Sequence, residues 1–125
     1  MYEPNRSQPV ARRSGRTPLP HRSRGEELDI QLAGHLSALL ALTDELGLDE
    51  PAEEIARQVA RLRGAPPVRH AGHTGADPAE LHLRAHETAA RALLVAASRA
   101  DTAAAILAAS RMDAHTAALT LTAAS

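Results

Sequence analysis

Residues 26–46 read EELDIQLAGHLSALLALTDEL, and this stretch decides the fold. Leu28, Leu32, Leu36, Leu39, Leu42 and Leu46 recur at steps of three and four residues. That spacing lays the leucines along one stripe of an α-helix, whereas a half-buried strand would alternate apolar and polar residues. Asp29, Ser37, Asp44 and Glu45 fall at the edges of the stripe or off it, and Gly47 is a natural stop. The spacing predicts a helix over about 26–46.

The chain that follows repeats the theme in cheaper material. Asp49 or Glu50 is placed to cap a second helix with Pro51 in its first turn, about 51–63, whose stripe is Ala52, Ile55, Val59 and Leu62. Glu53 and Arg57 stand at the i,i+4 spacing of an exposed ion pair. Residues 65–76 (APPVRHAGHTGA) have two Pro, two Gly and no periodicity, which predicts a loop. Asp77-Pro78 then reads as a helix start, with a third helix over about 78–99. Leu81, Ala85, Ala89, Leu93, Ala96, Ala97 and Ala100 share its apolar face, opposite Glu80, Arg84, Glu87, Arg91 and Ser98. The hexad Ala96–Asp101 (AASRAD) recurs twelve residues on as Ala108–Asp113 (AASRMD). Asp101 followed by Thr102 favours a break there and a fourth helix over about 102–121. Leu119 and Leu121 fall in a Thr-rich end where fraying is expected.

Composition agrees with helices throughout. The 125 residues include 28 Ala and 17 Leu against 4 Val and 3 Ile, so a sheet has little to build from. The expected fold is all-α: a small three- to four-helix bundle over 26–125, with two antiparallel Ala-rich helices under the Leu stripe. Residues 1–25 differ sharply, with four Pro, six Arg and one acid. Their charge of +5 stands against −6 for residues 26–125. Such a segment buries too little apolar surface to offset its ordering entropy, which predicts a disordered basic tail.

Several function classes drop out at this level. With no Cys, disulfides, thiolate metal sites and thiol catalysis are excluded, and with no Lys neither a P-loop nor a Schiff base can form. No G-x-S-x-G, no G-x-G-x-x-G and no Glu-x-x-His pair occurs, so hydrolase, dinucleotide and di-iron carboxylate readings lack their residues. No uncharged run approaches the ~20 residues of a membrane span, and no apolar stretch directly follows the N-terminal arginines, so the expected location is cytoplasmic.

Two constellations remain. There are seven His, and His82 and His86 stand at the i,i+4 spacing that lets two imidazoles share one metal. His35 lies in the Leu stripe, so packing of the first helix on the third would bring three imidazoles together for zinc, with His70, His73 or His115 as a fourth ligand. The second is basic. Arg57, Arg61, Arg63 and Arg69 follow one another with no acid between Glu54 and Asp77, and Arg12, Arg13 and Arg16 lie in the tail. Together they outline a nucleic-acid contact, with Leu36–Arg63 drawn as helix, turn, helix. Against that drawing, Glu50, Glu53 and Glu54 open the second helix, where a recognition helix meets a polyanion.

The expectation is therefore a non-catalytic helical interaction or regulatory module, associating with itself or another protein. A transcription-associated DNA binder using the basic arm and the Arg57–Arg69 patch is the alternative. A histidine metal site is the third.

Overall fold

The computed structural model describes residues 22–72 and 75–124. They form α1 (Arg24–Glu45), α2 (Asp49–Arg63), α3 (Pro78–Arg99) and α4 (Thr102–Ala124), with no strand among the described residues. The all-α bundle is thus the fold. Apart from Arg22–Gly25, the basic tail lies outside the described residues.

Local chemistry sets the helix ends. α1 begins at Arg24, two residues earlier than its leucines suggest, because Ser23 and Glu26 make a reciprocal capping box. Gly25 sits against the Arg99 guanidinium, where a Cβ would lie 2.8 Å from Arg99 Cζ. At the other end, Gly47 takes a φ of 72° and the N–H groups of Gly47 and Leu48 bond Asp44 O and Thr43 O. This is a Schellman stop. The same motif ends α3. Ala100 adopts a φ of 60°, its N–H bonds Ala97 O, and the Asp101 N–H bonds Ala96 O. Asp101 then caps α4 through a bond from the Ala104 N–H at 3.2 Å. The break between α3 and α4 is therefore two residues wide, Ala100 and Asp101. Neither Asp49 nor Glu50 caps α2, since Leu48 occupies that position and both acids lie in the first turn. α4 continues to Ala124, three residues past the predicted end, and Thr120 and Thr122 bond back to carbonyls one turn earlier.

Ion pairs fix the topology. Asp29 near the start of α1 meets Arg99 at the end of α3, and Arg63 at the end of α2 reaches Ser37 of α1. Arg61 of α2 meets Asp101 at the start of α4. Thus α1 and α4 run one way, α2 and α3 the other, and the connection from α2 to α3, described over residues 64–72, climbs back along the bundle as a crossover. Arg69 pins that crossover. Its guanidinium grips both oxygens of Asp44 at 2.7 and 3.0 Å, and a third bond reaches Glu53. Asp44 also accepts the His70 N–H, and its carboxyl is held below the usual range chiefly by the Arg69 hydrogen bonds. Two expectations are corrected here. Asp44 is buried rather than at the edge of the stripe, and Glu53 pairs with Arg69 rather than Arg57.

The core differs across the bundle. Leu32, Leu36, Leu39 and Leu40 of α1 pack with Ile55 and Val59 of α2 and Leu81 of α3. Leu40 lies off the predicted stripe and is buried because α1 packs on both α2 and α3. The α3–α4 seam is built from Ala85, Ala89, Ala92 and Ala96 against Ala104 and Ala108. Small side chains let these two helices approach closely, at the expense of apolar area per residue.

Candidate functional site

The histidines converge, though not in the expected combination. His82 of α3 meets His115 of α4, Nδ1 to Nδ1 at 2.9 Å, with ring centroids 5.2 Å apart and the planes tilted by 50°. His86, one turn further along α3, is close enough for its charge to act on His115. His35 does not join them. The Asp29–Arg99 register sets His35 level with the last third of α3, roughly 15 Å from His82 at the helical rise per residue. The antiparallel packing of α1 on α3 is the reason. His70 lies on the crossover and is exposed, and His73 falls outside the described residues. Among the described residues, no group of three or more His, Cys, Asp or Glu is gathered to hold a metal ion.

His115 is the ring that sequence reasoning placed only as a reserve ligand, and it is 0% exposed. Its position was legible in the text: Ala104, Ala108 and His115 are spaced as one helical stripe, facing α3. With two Nδ1 atoms in contact, one ring donates its proton and the other accepts. The Nε2 of His115 is buried without a partner among the described residues, as is Arg111 Nε. Burial pulls His115 down to about 4, with the charges of Arg111, His82 and His86 adding to the effect. His82 is lowered by burial and by Arg111. Arg111 itself is lowered by burial, which the nearby Glu54 of α2 partly offsets.

The arginine patch is divided among internal partners. Arg61 bonds Gln58 and Asp101, Arg63 bonds Ser37, and Arg69 bonds Asp44 and Glu53. Arg57 alone of the four makes neither an ion pair nor a side-chain hydrogen bond among the described residues, and Arg63 makes no ion pair. Arg12, Arg13 and Arg16 lie outside the described residues.

A third feature emerges only in three dimensions. Leu83, Ala90, Leu94 and Ala97 follow one another down the outer side of α3 at steps of seven, four and three. Ala105, Ala109, Met112, Thr116 and Leu119 descend α4 at alternating steps of four and three. Ala97, Ala105, Ile106 and Ala109 line a single open groove of about 290 Å³, with Asp101 also in its lining, which places the two rows side by side. Leu94 is 71% and Ile106 66% exposed. Glu87, four residues after Leu83 and seven before Leu94, is the charged residue that shares this face of α3, while Glu80, Arg84 and Arg91 lie to one side of it. No helix among the described residues is long and apolar enough to cross a membrane. No family model, no curated protein and no solved structure matches the chain.

Proposed function

We propose that the chain is a non-catalytic helical interaction module that acts by self-association, pairing through the outer face of the α3–α4 hairpin. The observation that carries this reading is the double row of small and apolar side chains on that face, with Leu94 71% exposed and Glu87 and Asp101 at its margins. An apolar row at three- and four-residue spacing is what one helix presents to another. The stretch from Ala90 to Ala97 adds no charge to the α3 row, which suits a two-fold axis, where each group meets a partner from the same patch and like charges would oppose one another. The alanines of the rows let paired hairpins approach as closely as α3 and α4 do within one chain.

DNA binding draws less support. Three of the four patch arginines are already engaged with Asp, Glu, Gln or Ser, so releasing them to phosphate would break internal bonds. Zinc binding rests on His82 and His86 without His35. The test is light scattering of the full chain over a range of concentration. Pairing predicts twice the 13.2 kDa of one chain. Leu94→Glu should return the mass to that of one chain with the helical content unchanged. A single-chain mass for the unsubstituted protein at all concentrations contradicts the reading.

A further inference from the structure

The α3–α4 seam is alanine along most of its length and changes character at one end. Beyond Ala108, His115 is the only residue of α4 that is buried. Every described residue after it is half-buried or exposed. The hold of this half of α4 on the bundle therefore passes through His115, with Met112 half-buried beside it. Facing His115 from α3 are His82, in contact at 2.9 Å, and His86. Arg111 flanks it on α4, and Glu54 of α2 acts on Arg111. Among the described residues, every group whose charge acts on the two contacting rings is a base: Arg111 for both, and His82 and His86 for His115.

We propose that the His82–His115 contact is an acid-released latch, which holds the C-terminal half of α4 against α3 at neutral pH and lets it go on mild acidification. At neutral pH one Nδ1–H donates to the other Nδ1. When both rings have taken a proton from solvent, two donors and two positive charges face each other beside Arg111. The contact is then repulsive, and an ammonium-like charge buried without a counter-ion is costly.

The direction follows from linkage. In the closed seam His115 sits at about 4, against 6.5 for a free ring. The released state binds more protons between those values, so the closed state loses stability as pH falls through 6.5 and the loss levels off below about 4. From pH 7 to pH 5 the open population should rise roughly 20-fold. The remainder of the seam is alanine, which adds little to resist opening at that end.

Hydrogen exchange on the full chain tests the latch, read as protection factors so that the intrinsic pH dependence of exchange is removed. Amides of residues 109–124 should lose about 20-fold protection between pH 7 and pH 5, with those of residues 28–44 unchanged. His115→Leu should abolish the difference. Ring titration of His115 by NMR in the unsubstituted chain decides the matter if that variant does not fold. Equal protection at both pH values overturns the latch, as does a loss spread evenly over α1, a loss that survives His115→Leu, or a His115 ring titrating near 6.5 while α4 stays closed. Light scattering on the same samples keeps the latch separate from chain pairing: the loss must appear without a change of mass, and a loss that tracks dissociation counts against it.

Discussion

The α1–α2 half and the α3–α4 half are both antiparallel helix pairs, built from opposite materials. α1 buries Leu28, Leu32, Leu36, Leu39, Leu40 and Leu42, whereas α4 buries Ala104, Ala108 and His115. A buried leucine contributes about 1.5–3 kcal/mol relative to exposure, and an alanine far less. Stability is therefore concentrated in the leucine half. The alanine half gains close approach, an outer row of small and apolar side chains and a seam that ends on a buried imidazole. The difference teaches that the two hairpins of one bundle need not carry equal loads: the leucine pair holds the fold, and the proposed pairing assigns the other to a partner.

The comparison breaks first where leucine is removed. Leu36→Ala should destabilise the chain by about 3 kcal/mol, because a fully buried side chain leaves a cavity that α2 and α3 cannot fill. Denaturant melts followed by circular dichroism measure this. The alanine seam should fail in the opposite sense. Ala89→Leu adds volume where α3 and α4 touch, and overpacking there should cost about 2 kcal/mol with the exchange protection of α4 falling more than that of α1. If Ala89→Leu instead stabilised the chain, the seam would be loosely packed and the contrast between the halves would fail.

Acid should separate the halves as well. The Asp44 carboxyl is held below its ordinary 3.8 chiefly by the Arg69 hydrogen bonds, so its contribution is present above that value and lost as pH falls through the lowered one. His115 loses its contribution earlier, from 6.5 down to about 4. Two-step acid unfolding, with α4 opening before the crossover detaches from α1, is the expected order in residue-resolved exchange. Simultaneous loss would contradict it.

The smallest effect sharpens the picture at the hinge between α3 and α4. Ala100 sits in the left-handed region at a φ of 60°, which a Cβ makes unfavourable and glycine adopts freely. Ala100→Gly should stabilise the chain by about 1 kcal/mol, seen as a higher denaturation midpoint.

Much of the fold was legible in the text because its signals are local. The Leu spacing placed α1, Asp77-Pro78 placed the start of α3, and Asp101-Thr102 placed the break that the structure makes at Ala100. What was missed depends on partners distant in the chain. Asp44 is buried because Arg69, 25 residues away on an aperiodic crossover, comes back to it. Leu40 is buried because α1 has two neighbours, which a single-stripe reading does not anticipate. The parallel course of α2 and α3 leaves no mark on either helix. His35 shared a stripe with the leucines and was set beside His82 by face alone, when register along the axis decides the distance. Ser23-x-x-Glu26 was a readable start signal, masked by the Arg/Pro bias of the residues before it.

Contact between two copies at named side chains tests the central claim most directly. In a mixture of isotope-labelled and unlabelled full-length chains, isotope-filtered nuclear Overhauser spectra register only contacts that cross between copies. Pairing through the α3–α4 face predicts cross-copy contacts among the methyl groups of Leu83, Leu94, Ala97, Ala109 and Met112, and their loss in Leu94→Glu. Contacts confined to α1 and α2, or none at a concentration where the mass is that of two chains, would contradict it.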